Sequence, residues 1–260
     1  MLLTALLAVC LLSLVLPGLD GTSTVGARFE PPSWTFPLGT DALGRDLLPR
    51  LIEATRTTVF ISVVAVTLST LLATAIGIAA GLMGGPVEVL SMRIADGLFA
   101  FPAMLLSILV ATIVGAGEVA AIASIFIITL PLMMRVFRGA TRDVVHRDFV
   151  TASAVGGARG LRIAVRHVLP NIGGAVAVQA TYAASIAMLI EGGLSFLGFG
   201  VVPPAASLGS LVQEGSAYLT VYPWLALVPG AVLAAAILSV NLVGDGLRDA
   251  LDPRDERSMS

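Results

Sequence analysis

At 260 residues, with 57% apolar side chains and only 12% charged ones, the chain departs from the makeup of water-soluble domains, where about a quarter of residues carry charge. A net charge of -2 excludes a polybasic nucleic-acid binder or a binder of anionic membrane surfaces. The single cysteine, Cys10, excludes an intrachain disulfide and a thiolate metal site.

Several intervals hold no charged residue, among them 1–19, 57–87, 97–117, 119–134, 168–190 and 215–244. Each reaches or approaches the roughly 20 apolar residues that cross a bilayer as helix, so the sequence predicts an all-α, polytopic membrane protein with six spans. No Arg or Lys precedes the first run and no A-x-A site follows it, which favours a span over a cleaved leader. The segment 20–56 follows, with Arg28, Arg45, Arg50 and Arg56 interspersed among Asp20, Glu30, Asp41, Asp46 and Glu53. Asp46 is placed to cap the helix leading into the second span, and Gly39 and Gly44 permit tight turns. Asp41 and Asp46 have neither a histidine nor a denser carboxylate cluster beside them, so no metal site is expected.

Pro102 and Pro131 fall inside spans. Neighbouring helices or water must satisfy the carbonyls they free, which suits either a bundle around an internal pathway or a simple packing kink. The run 119–134 supplies about 24 Å of helix against a core of about 30 Å. Its ends are therefore expected to be stretched, with Arg135 snorkelling to the headgroups.

Between the fourth and fifth spans lie Arg135, Arg138, Arg142, Arg147, Arg159, Arg162 and Arg166. Burying seven arginines in lipid costs on the order of 20 kcal/mol, so 135–170 is read as a cytoplasmic loop. Crossing at each run from there places both termini and the turn at Arg93 in the cytoplasm, with eleven arginines inside against four outside. Within the loop, Phe149, Val150, Thr151, Ala152 and Ser153 begin a short helix of small residues, with Asp148 as a plausible N-cap. Gly156 and Gly157 stop that helix. A second short helix is expected over 161–167, with Arg159, Arg162 and Arg166 on its polar side, and Pro170 opens the next span. Small side chains on an exposed helix let a partner surface approach closely.

Ionisable groups at or inside spans are functional candidates. Asp96 and Asp245 suit the interface; Glu191 either serves the pathway or pairs with an arginine or backbone donor in the bundle. Gln179 and Tyr182, one turn apart, either line a path or act as interhelical hydrogen-bond glue.

The loop resembles the Glu-Ala-Ala, three residues, Gly, then Leu-Pro pattern of permease subunits in binding-protein-dependent ABC importers. Thr151, Ala152 and Ser153 stand at the Glu-Ala-Ala positions, Gly157 at the glycine, and Leu169 and Pro170 at Leu-Pro. "PLGTDALGRDLLPRL" resembles the LGTD-x-LGRD signature, carried here by Gly39, Thr40, Asp41, Gly44, Arg45 and Asp46, of the second, inner permease of dipeptide, oligopeptide and nickel importers. "MRIADGLFAFPAMLL", "EGGLSFLGFGVVPP", "YPWLALVPG" and "NLVGDGLRDALDPR" resemble further segments of the same subunit in the same order. The chain departs from the pattern at Thr151 and Ser153, at Pro49 where serine is usual, and at Leu208 where tryptophan is common.

The resemblance implies the type I ABC importer permease fold: residues 1–57 as first helix and extracytoplasmic segment, 58–254 as transmembrane domain, and 255–260 as tail. It implies that the helix at 148–155 is a coupling helix, with Asp148 to Ser153, Gly156, Gly157, Arg159 and Arg162 meeting a cytoplasmic ATPase. The implied partners are a second homologous permease, two ATPase subunits, an extracytoplasmic substrate-binding protein and membrane lipid, in a bacterial plasma membrane. ATP and Mg are expected on the ATPases, with no cofactor, metal or nucleic acid on this chain.

No enzyme chemistry is legible. His146 and His167 both lie in the cytoplasmic loop, and neither an H-E-x-x-H nor a Walker-type loop occurs. An intramembrane enzyme would need paired aspartates, or serine with histidine, at depth. Peptide import is the leading expectation, import of nickel or another small solute by the same machine the nearest rival, and a non-transport structural subunit the rival of another class.

Overall fold

The computed structural model describes residues 21–251, so the expected first span, 1–19, and the tail, 255–260, lie outside the described residues. Asp46 accepts a hydrogen bond from the Leu48 N–H at 3.0 Å, capping α1, Leu47–Met83. After a turn at Gly84 come α2, Gly85–Phe99, and α3, Ala103–Val114. Next are α4, Glu118–Val145, and the short α5, Asp148–Val155. α6, Gly160–Ile163, passes through a π turn, Ala164–Val168, into α7, Leu169–Phe196. α8, Leu208–Ser216, and α9, Trp224–Leu251, complete the described chain.

The described residues hold four helices long and apolar enough to span, and a fifth if α2 and α3 count together. That pair is bent by 94°, so the run 97–117 is not one straight helix. The break falls at Pro102, which therefore lies between helices rather than inside one, whereas Pro131 is inside α4. The helix is longer than the apolar run 119–134: α4 continues to Val145, about 42 Å by the usual rise, with Arg135, Arg138 and Arg142 in its added turns. Arg135 does not stand alone: it pairs with Asp96 at 2.5 Å and lies 4.4 Å over the Phe99 ring. Arg138 and Arg142 both pair with Glu88. The second helix expected in the loop is continuous with α7. Pro170 has no N–H to donate and its ring crowds the carbonyl four residues back; the wider π turn immediately before it, where the Leu169 N–H reaches the Ala164 carbonyl, accommodates both effects.

The described residues form two compact units: the first comprises 21–65 with Met104–Ile125 and Ser185–Val240, the second Val66–Ala103, Phe126–Ala184 and 241–251. In the first, Leu51, Ala54, Ala206, Leu208 and Leu211 form one core and Val59, Met188 and Ala236 another. Gly209 on α8 lies so close to the Gly192 backbone on α7 that a Cβ would collide with it. In the second, Gly77 and Gly81 make a small-residue notch on α1. A Cβ at either would lie 2.7 Å from Phe137 or Thr141 of α4, the close backbone approach typical of helices in lipid.

Candidate functional site

Four of the ten residues singled out in the cytoplasmic loop act through its backbone and one buried anchor. α5 begins at Asp148; the cap position is Arg147, with no side-chain hydrogen bond, so Asp148 is not the N-cap but a first-turn carboxylate favoured by the helix dipole. Val150 is 4% exposed and joins Ile78, Val144, Ile163, Val168 and Ile172 in a single apolar cluster. At the other end, the Gly157 N–H donates to the Ala154 carbonyl and the Ala158 N–H to the Ser153 carbonyl, each at 3.0 Å. This is a Schellman stop. Only Gly157, at φ +88, requires glycine; Gly156 has an ordinary φ of -71.

His167 closes the far side of the loop. Its Nε2 lies 3.0 Å from the Ser153 hydroxyl, and its ring is 6.1 Å from that of Phe149. What this frame leaves outward is Thr151, Ala152 and Val155 on α5, then Arg159, Leu161 and Arg162, all exposed. Val155 is 86% exposed and Leu161 79%. Small and apolar groups on a rigid helix, flanked by guanidinium groups, form a surface to which another protein can fit closely.

The outer motif is assembled differently. Gly39 and Gly44 each adopt φ +75, and the turns they allow fold the chain back on itself. The Thr40 hydroxyl donates to the Ala27 carbonyl at 2.6 Å and accepts from the Glu30 N–H at 2.8 Å. One oxygen of Asp41 accepts from the Leu43 and Arg45 N–H groups. The other accepts from Arg45 Nε at 2.6 Å and Arg50 Nη1 at 2.7 Å. Arg50, 3% exposed, then reaches Glu214 of α8 through both of its terminal nitrogens, at 2.8 and 3.2 Å. A cavity of about 370 Å³ opens beside this cluster. Arg50 and Glu214 were not among the residues singled out from the sequence; 164 positions separate them, and no local pattern connects them.

Glu191 is 0% exposed and pairs with hydroxyls rather than with an arginine. Thr58 donates to it at 2.8 Å and Ser195 at 2.7 Å. The Thr58 hydroxyl in turn accepts from the Leu208 N–H that opens α8, so Glu191 ties α1, α7 and α8 together within the first unit. Gln179 and Tyr182 border a separate cavity in the second unit.

Residues 73–256 match the model of the family described as "Binding-protein-dependent transport system inner membrane component". The chain is 39% identical over 230 residues, 86% of its length and 76% of the relative's, to a di/tripeptide transport system permease protein of Pseudomonas aeruginosa. It is 38% identical to a dipeptide transport system permease protein of Haemophilus influenzae, over 88% of this chain and 79% of that one. Among solved structures it superposes on a chain of the inward-facing MetNI methionine ABC transporter with a TM-score of 0.65, covering 79% of this chain and 98% of that one at 16% identity. That likeness carries the fold, the type I ABC importer permease fold expected from the sequence.

Proposed function

We propose, from the premise that the chain belongs to the binding-protein-dependent transport system inner membrane component family and is a multi-pass importer permease, that it forms half of a gated pathway for di- or oligopeptides. The peptide reading is supported by identities of 39% and 38% to permeases named for di/tripeptides and dipeptides, over most of each chain. In this reading the pathway's other half is a second, homologous permease. An extracytoplasmic binding protein delivers cargo to it, and two ATPase subunits, which hold ATP and Mg, drive it from the cytoplasm.

The coupling element is α5. Its single buried anchor, Val150, and its glycine stop present Thr151, Ala152 and Val155 as one rigid patch, and Arg159 and Arg162 flank it. An ATPase seated there moves α5, and the continuous helix from α6 into α7 transmits that motion into the spans, so access alternates between the two sides. Orientation follows from the arginine distribution, with the loop and both termini cytoplasmic in a bacterial plasma membrane. The outer motif, Gly39 to Asp46, holds the opposite end of α1 against α8.

Affinity purification of the tagged chain from membranes tests the assembly. The expected companions are a second permease and one or two ATPases, with ATP hydrolysis stimulated by peptide-loaded binding protein. Recovery without an ATPase contradicts the coupling role. Stimulation by nickel but by no peptide replaces the cargo and leaves the machine.

A further inference from the structure

Between α7 and α9, within the second unit, a cavity of about 180 Å³ is bordered by Gln179, Tyr182, Asn241, Asp245 and Arg248. Its floor is set by close packing: a Cβ at Gly244 would lie 2.7 Å from the Thr181 hydroxyl oxygen, so glycine is what lets α9 approach α7 beside it. Gln179 Nε2 is buried there without a hydrogen-bond partner, and a buried amide donor costs free energy until an acceptor arrives. Neither Asp245 nor Arg248 forms an ion pair among the described residues. Both charges are exposed at the rim of the cavity, so a ligand that carries one charge of each sign could meet both of them and the buried amide donor together.

We propose that this cavity is a transient subsite for the transported peptide on its way to the cytoplasm. Arg248 receives the terminal carboxylate, Asp245 the terminal ammonium, and Gln179 Nε2 donates to a main-chain carbonyl. Asp245 and Arg248 are three residues apart, about 4.5 Å of axial rise. With the reach of the arginine stem, that suits the charged ends of a dipeptide, whose Cα atoms are about 3.8 Å apart. The groups named recognise termini and backbone but no side chain, which fits a permease that accepts whatever its binding protein delivers. The inference rests on the peptide reading given above.

Uptake of radiolabelled dialanine by the complete complex in proteoliposomes, with its binding protein, tests it. Gln179→Leu and Arg248→Gln complexes are expected to co-purify as the unaltered complex does. Each is expected to import dialanine about tenfold more slowly, the effect of losing one good polar contact, and to hydrolyse more ATP per dialanine imported. Gln179→Met, closer in shape, gives the same loss of transport should Gln179→Leu assemble poorly. Unchanged uptake in both Gln179→Met and Arg248→Gln means that the cavity holds water only and overturns the proposal. Loss of co-purification in all three variants makes the residues structural and also overturns it. An unaltered complex that imports no dialanine defeats the peptide reading itself, a result visible before any variant is made.

Discussion

Residues 39–46 and residues 148–157 are both short, glycine-punctuated segments, yet they dispose of their polar groups in opposite ways. In the first, the polar side chains turn inward. Thr40 is 0% exposed and Asp41 6%, and Asp41 takes four hydrogen bonds from two N–H groups and two guanidinium groups. In the second, the backbone satisfies itself through a Schellman stop, one valine anchors the helix, Ser153 meets His167, and the other side chains of the helix are exposed. A segment whose polar groups are consumed internally holds elements together. A segment that closes its own backbone and keeps its side chains free offers a surface to another molecule.

Substitutions that break this contrast have graded expected effects. Arg50→Ala strands two carboxylates around a buried void and is expected to cost about 3 kcal/mol, read as a lowered melting temperature of the purified complex. Arg50→Lys, which keeps the charge and loses the fork, is expected to cost less than half of that. Glu191→Ala leaves the Thr58 and Ser195 hydroxyls without their acceptor and is expected to cost about 2 kcal/mol; Glu191→Gln recovers only part of it, because its single amide oxygen can replace one of the two carboxylate oxygens that accept.

The loop behaves differently. Gly157→Ala forces an L-residue to φ +88 and is expected to cost about 1 kcal/mol locally while reducing ATP hydrolysis coupled to transport. Gly156→Ala, at φ -71, is expected to stay within about 0.5 kcal/mol and to leave coupling intact. The comparison between the two glycines separates backbone conformation from mere smallness. The smallest effect belongs to Thr151→Glu on the exposed face of α5, expected within about 0.5 kcal/mol for stability. Its informative readout is ATPase retention in pull-downs, which is expected to stay the same or rise.

The sequence carried much of this through patterns that are local. Charge-free runs mark where lipid excludes ions, so the cores of α1, α4, α7 and α9 were legible, as were the glycine stop after α5 and the cap at Asp46. Features that depend on partners distant in the chain were not. The bend between α2 and α3 looks like one apolar run, because hydropathy does not register a change of direction at Pro102. α8 was hidden in an expected loop: its capping pair is Ser207 with Ser210 rather than the Ser-x-x-Glu form that announces such starts, and its place depends on Gly209 meeting Gly192. The Arg50–Glu214 pairing and the hydroxyl partners of Glu191 likewise arise only once α1, α7 and α8 are packed. The extension of α4 beyond Arg135 was missed because its arginines, read as marking a loop, are instead neutralised by Asp96 and Glu88 on α2.

The most direct test of the central claim places a photoreactive amino acid at Ala152, on the exposed face of α5, in the full chain in native membranes. The account predicts a crosslink to an ATP-hydrolysing subunit that disappears when Val150→Asp removes the buried anchor of the helix. Crosslinks to lipid or to this chain alone, with the ATPase present in the same membranes, would contradict it.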